Sequence, residues 1–204
     1  MSSLTTLGAG PSAAYDPYGA YLVYDTFTDS NGTPLSNHTP DIDVVGGGWS
    51  YDAGSAFTIN SNQLDIGPAI CRAIIDAGAA DVKITGTLTT TGDDNLQVLV
   101  RFQDSDNYIR CVFELIPVGS IFIQKCVGAS WTTVDNLVTG LYGAQTIDFE
   151  ITAVGTTITM KDLTNDKTVS GTVSEGQSNT IVGLGDLAAE TGPIVVDNFR
   201  VVNE

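Results

Sequence analysis

A chain of 204 residues with 42% hydrophobic residues, 16% charged residues and 22 glycines has the apolar surface for one large core and the turns to fold it, which excludes a disordered protein. Its 24 acidic residues set against 8 basic ones give a formal charge of −16, a field that repels phosphate backbones and anionic lipid, so nucleic acid and membrane surfaces are excluded as partners. No segment approaches the ~18 apolar residues of a membrane-spanning helix, and the opening Met1-Ser-Ser-Leu-Thr-Thr-Leu7 lacks the basic and apolar regions of a signal peptide.

Residues 1–20 show neither strand nor helix period and read as an irregular arm, with residues 21–204 as one domain. Leu4, Leu7, Tyr15 and Tyr18 give the arm apolar handles that a plain spacer would lack, and mark it as a docking segment for a partner subunit. Tyr21 to Phe27 reads as the first strand, closed by the turn residues Asp29-Ser-Asn-Gly32. A long polar loop then runs to Gly46-Gly-Gly48, where turn and close-packing roles are expected of the glycines. Phe57 to Ile59 and Leu64 to Ile66 flank Asn60-Ser-Asn62, a hairpin signature.

Eleven further strands follow at regular spacing: Ala69 to Asp76, Asp81 to Thr90, Asn95 to Gln103, Tyr108 to Ile116, Ser120 to Val127, Trp131 to Leu137, Thr146 to Ala153, Thr157 to Asp162, Thr168 to Val173, Thr180 to Leu184 and Ile194 to Val202. That spacing, with Gly, Asn and Asp between, predicts an all-β sandwich of meanders. Leu96, Val98, Val100 and Phe102 share one face by alternation, as do Ile147, Phe149 and Ile151, and both sets are assigned to the core. In the last strand Val195, Asp197, Phe199 and Val201 alternate with Val196, Asn198, Arg200 and Val202, as in a strand returning beside the first.

Three cysteines at spacings that match no zinc or redox motif predict free, buried thiols. Pairing Ile116 with Ser120 sets Cys126 opposite Arg110, so that Cys111 and Cys126 point to opposite faces.

The run Val98-Leu-Val-Arg-Phe-Gln-Asp-Ser-Asp-Asn-Tyr108, the strand carrying Asp148 and Glu150, and the closing Val196-Asp-Asn-Phe-Arg-Val201 resemble the concanavalin A-like, laminin-G-like jelly-roll superfamily over residues 21–203. The resemblance implies a two-sheet antiparallel jelly roll, a fold shared by lectins, glucanases, sugar-binding modules and structural domains of tailed phages. The opening Asp25-x-Phe-x-Asp-x-Asn-Gly32 resembles phage structural domains in particular.

The glucanase branch of this superfamily carries Glu-x-Asp-x-x-Glu on one strand, whereas here Thr146 stands two residues before Asp148 and only Asp148-Phe-Glu150 is present. One of the carboxylates that hydrolysis needs is missing, and Asp148 and Glu150 are expected on the solvent face. The single histidine, His38, sits in a polar loop and is expected to be exposed, which leaves no triad. No cofactor is expected. Calcium is the one metal the composition could serve, through Asp41/Asp43, Asp93/Asp94 or Asp104/Asp106, though none has EF-hand spacing.

Two functions from different classes follow. The leading expectation is a non-enzymatic structural protein of a virus particle, a phage head-decoration or tail-associated protein whose arm holds capsid or tail subunits or copies of itself. Its place would be a virion surface or the cell exterior, reached by lysis, by particle assembly or through a leader beyond this sequence. The alternative is a lectin-like module for a cell-surface glycan, with Trp49, Tyr51, Trp131 and Tyr142 as stacking residues, against which stands ordinary core packing.

Overall fold

The computed structural model describes residues 21–204 apart from 56, 68–69, 92–94, 116–118, 141–142 and 187–193. Among the described residues seventeen strands run in chain order: β1 (Tyr21–Asp25), β2 (Thr33–Pro34), β3 (Ile42–Asp43), β4 (Ser50–Ala53), β5 (Thr58–Asn60), β6 (Gln63–Ile66), β7 (Arg72–Asp76), β8 (Val82–Thr90), β9 (Asn95–Asp104), β10 (Asn107–Glu114), β11 (Ser120–Val127), β12 (Ser130–Val138), β13 (Gln145–Val154), β14 (Thr157–Asp162), β15 (Lys167–Thr172), β16 (Ile181–Asp186) and β17 (Ile194–Asn203). The only helical element among them is a 3-10 turn, Leu35–Asn37. This is the all-β sandwich expected from the strand spacing and the antiparallel jelly roll that the resemblance implies.

The strands form two antiparallel sheets. The first runs β15-β14-β13-β8-β17-β6-β5-β2, with β1 added on β17 and β3 on β1; the second runs β12-β11-β10-β9-β16-β7-β4. The last strand lies antiparallel to the first, Tyr21 opposite Val202, which brings the two ends of the sandwich together as the closing alternation requires. The β5–β6 hairpin turns through Ser61 and Asn62 at φ 55° and 57°, the left-handed pair that a two-residue hairpin needs.

The core fills the space between the sheets. From the first come Ile84, Leu88, Ile147, Phe149, Ile151, Phe199 and Val201, and from the second Val98, Val100, Cys111, Phe113, Ile123 and Leu184, all fully buried. The rings of Phe113 and Phe149 meet across the interface at 5.6 Å. Gly86 pairs with Phe149, and a Cβ there would lie 2.7 Å from its ring, so the glycine makes room for the aromatic.

Two bulges correct the simple alternation. Arg101 adopts φ 52°, and the pairings of β9 with β10 and with β16 both shift past Val100. Leu96, Val98 and Val100 therefore face the main core, while Phe102 falls on the opposite side and packs with Leu99, Tyr108 and Cys126. In β17, Asn198 at φ 54° breaks register between Asp197 and Arg200. The buried face becomes Ile194, Val196, Phe199 and Val201 rather than one unbroken odd-numbered set. An extra residue in one strand reverses every later side chain.

The β10–β11 hairpin pairs Glu114 with Ser120 and Tyr108 with Cys126. This differs by two residues from the expected register, and an even shift keeps each side chain on its face. Cys111 accordingly lies in the main core and Cys126 in the small outer cluster, both buried with free thiols, as is Cys71.

Candidate functional site

Two polar constellations stand out from the frame, one inside it and one on its surface. The inner one closes the loop after β1. Asp25 is wholly buried; its Oδ1 accepts the Phe27 backbone N–H at 2.7 Å and lies 2.9 Å from His38 Nε2, and its Oδ2 accepts the Trp49 indole N–H at 2.7 Å. His38 Nδ1 lies 3.1 Å from Asp29 Oδ2, so the imidazole sits between two carboxylates. Burial opposes its charge, but the hydrogen bonds and negative charges of Asp25 and Asp29 outweigh burial and raise its pKa above the ordinary histidine value. The His38 hydrogen bond, helped by the Ser30 backbone N–H, holds Asp29 below the usual carboxylate range.

This arrangement overturns two expectations. His38 is buried rather than exposed, because its partners come from nine and thirteen residues away through the fold of the loop. Trp49, at 3% exposure, packs on Phe27 and Phe199 and presents no ring to a ligand. The motif Asp25-x-Phe27-x-Asp29 is the structural clamp of this corner.

The other sequence-derived candidates also disperse. Tyr51 pairs with Ala73 on the core side of β4, and its hydroxyl donates to the Phe57 carbonyl at 2.8 Å. Burial pushes its pKa up to about 12. Tyr142, Asp93 and Asp94, and the arm residues Leu4, Leu7, Tyr15 and Tyr18, lie outside the described residues. Asp41 accepts from the Thr26 backbone and hydroxyl, Asp43 from the Gly46 and Gly48 N–H groups, and Asp104 from the Asp106 N–H and the Asn107 amide. Asp43 and Asp104 cap turns and Asp41 ties its loop to the end of β1, and among the described residues no three His, Cys, Asp or Glu side chains gather as a metal site.

Trp131 is different. It opens the edge strand β12, is 42% exposed, and points away from the core. Strand pairing places it in one row with Cys126 and Tyr108. The next row contains Thr133, Gln124, Arg110, Leu99 and Gly183, and the row beyond contains Phe122, Val112, Gln97, Gly185 and Arg72. Side chains directly opposite across a ladder share a face, so these groups lie on the outer side of the seven-stranded sheet, where Leu99, Val112, Gln97 and Tyr108 are buried and Trp131, Thr133 and parts of Arg110 and Gln124 reach solvent.

The surface is cross-linked by its own hydrogen bonds. The Arg110 guanidinium stacks 3.7 Å from the Trp131 ring centre. Its Nε and Nη2 donate to Gln124 Oε1 at 3.0 and 2.6 Å, and its Nη1 to Gln97 Oε1 at 3.4 Å. Gln124 donates to Thr133, and Gln97 to the Asp186 carbonyl. Arg72 pairs with Asp52 at 2.6 Å and donates to the Tyr108 hydroxyl at 2.6 Å. It crosses the sheet to do so over Gly185, where an added Cβ would stand 3.2 Å from the arginine Cγ. Tyr108 meets the edge of the Trp131 ring at 5.2 Å, and burial raises its phenol pKa despite the opposing charge of Arg72. A cleft of about 260 Å³ opens beside Tyr108 and Cys126, lined also by Lys125, Glu175 and Asn179.

Sequence reading picked out Trp131 but missed Arg72, Gln97, Arg110 and Gln124. The signal was present: Tyr108 and Arg110 occupy the outward parity of a strand whose inward residues are Ile109, Cys111 and Phe113.

No family model matches this sequence, and no curated protein does. The fold has counterparts among solved structures. The carbohydrate-binding module CBM66 of Bacillus subtilis is 12% identical, with a TM-score of 0.59 over 76% of this chain and 95% of its own. The lumenal domain of VIP36, solved with calcium and Man3GlcNAc, is 9% identical, with a TM-score of 0.56 over 76% of this chain and 84% of its own. The GH43 protein BlXynB of Bacillus licheniformis is 11% identical with a TM-score of 0.65, covering 95% of this chain, which spans 41% of that protein's length. At such identities the likeness is one of fold. It does not bear on the capsid or tail role expected from the arm.

Proposed function

We propose that this chain is a non-catalytic glycan-binding module whose ligand lies on the outer face of the seven-stranded sheet, beside Trp131. The observation that carries the reading is the pairing of a half-exposed indole with the partly exposed Arg110 and Gln124, held in place by the buried Tyr108 and Gln97. A pyranose offers an apolar face of C–H bonds and a rim of hydroxyls, so one aromatic plate plus several held donors and acceptors is the chemistry that recognises it. The likeness in fold to a carbohydrate-binding module and to a glycan-bound lumenal domain supports the same class of partner.

A binding role is preferred over hydrolysis because the carboxylates best placed by sequence are occupied on the other sheet. Glu150 pairs with Lys161 at 2.6 Å, and Asp148 accepts from Thr87 at 2.8 Å. A glycosidase needs a free acid and base across a cleft.

The test is a glycan microarray probed with the wild-type protein and with Trp131→Ala. The wild type should bind at least one glycan class and the variant should lose it while keeping its melting temperature, because the lost side chain is half exposed. Undiminished binding by Trp131→Ala would remove the site from this face.

A further inference from the structure

Five of the eight basic residues are held by an acid. Lys83, Arg101, Lys125, Lys161 and Arg72 each hold a carboxylate, from Glu204, Asp81, Glu175, Glu150 and Asp52 respectively. Arg110 holds none. Its partners are two glutamine carbonyls and an indole ring, all neutral. In a protein with 24 acidic and 8 basic residues, a half-buried cation whose partners among the described residues are all neutral keeps its charge available to an acidic ligand.

A guanidinium has five N–H groups in a planar fork. Three are used, one on each nitrogen, so one N–H on each terminal nitrogen is left over. Two adjacent N–H groups in a plane match the two oxygens of a carboxylate. The glutamines and the indole fix that plane without cancelling its charge, so little is lost in ordering it when a ligand arrives. The nearest carboxylate on the same strand face is Glu114, four residues along β10 and engaged with Ser120. Asp52 is already neutralised by Arg72.

Resting on the glycan-binding reading above, we infer that the ligand is an acidic glycan of the uronate class, whose carboxylate takes the open end of Arg110 while its ring lies against the exposed part of Trp131. The chain's overall charge of −16 does not forbid this. Exposed charges beyond about 8 Å are largely screened at physiological salt, whereas a contact in the fork is not.

The experiment compares matched ligands on the intact chain by calorimetry. The probes are oligogalacturonate, oligomannuronate, glucuronoxylan oligosaccharides and a hyaluronan tetrasaccharide, each beside its carboxyl-reduced neutral counterpart, with neutral galacto-, manno- and xylo-oligosaccharides as a third arm. At least one uronate should bind, with its reduced counterpart at least tenfold weaker. Arg110→Gln should erase that ratio, binding acid and reduced forms alike. Arg110→Lys keeps the charge but not the fork and should lose at least fivefold for the acid.

If reduced forms bind as well as the acids, or only neutral glycans bind, the uronate assignment is overturned and the glycan-binding face stands. If no probe of any arm binds and the microarray is also blank, both fail. The ligand-side comparison needs no mutant, so a folding defect in either variant leaves the test intact.

Discussion

His38 is the single histidine of the chain, and its burial between two carboxylates predicts a pH dependence of stability with a definite sign. Its pKa is raised in the folded state, so its contribution is complete below the unfolded value near 6.5 and is lost as pH rises through the folded value. Protonated, the ring donates to both Asp25 and Asp29; neutral, it donates to only one. A hydrogen bond from a charged group to the buried Asp25 contributes about 1.5–3 kcal/mol. The bond to Asp29, at the solvent edge of the site, is screened and adds less than the one to Asp25. His38→Ala should therefore cost about 3 kcal/mol at pH 6, which for a chain of this size is a fall of about 6–12 °C in Tm. Asp25 keeps the Phe27 N–H and the Trp49 indole, so the variant should still fold. At pH 9 the gap between wild type and variant should shrink to about half, because the wild type then makes one bond of the two. Scanning calorimetry of both proteins at half-unit steps from pH 5.5 to 9 measures this directly. A gap that stayed constant, or widened with pH, would show that the imidazole is not held as a cation.

Three further outcomes are expected. Phe149→Ala empties a fully buried ring site facing Phe113 and Gly86 and should cost about 3–5 kcal/mol in urea titration; a cost below 1 kcal/mol would mean the two sheets do not pack through this layer. Burial pushes the Cys111 thiol far up, and Cys71 and Cys126 are also buried, so all three should resist a thiol reagent until denaturant is added, and rapid native modification would contradict the packing. No turnover of β-glucans or galactans is expected, and Glu150→Gln should cost less than about 1 kcal/mol for its partly exposed Lys161 pair; an activity that vanished in this variant would overturn the non-catalytic reading.

Much of the frame is legible from alternation alone. From β8 to β17 the strands fall within two residues of where period two and the intervening Gly, Asn and Asp residues put them, because a half-buried strand writes its burial directly into sequence. Bulges leave no such trace. Nothing in Val100-Arg-Phe102 announces that Arg101 adopts a left-handed backbone, so Phe102 was assigned to the wrong face, and Asn198 hides the same device in β17.

The site was legible only in part. Trp49 and Trp131 both follow turn residues and look alike in sequence, and only the Asp25 acceptor brought in by β1 decides which is core. Arg110 was passed over because its role depends on Gln97 and Gln124 from the strands on either side of it, a relation set by register. The loop around His38 was read as solvated for the same reason, since its partners are supplied across the turn that follows β1.

The proposed glycan site lies on the outer side of the seven-stranded sheet at Trp131. The chain has two tryptophans, and the fold separates them: Trp49 is buried with its indole N–H on Asp25, while Trp131 is half exposed on the proposed face. A ¹⁵N–¹H spectrum should thus show two indole resonances, assigned by Trp131→Phe. Titration with the glycan found on the array should move the Trp131 indole together with the Tyr108, Arg110 and Gln124 amides, and leave the Trp49 indole in place. Shifts confined to other surfaces, with the Trp131 resonance unmoved at saturation, would contradict the account.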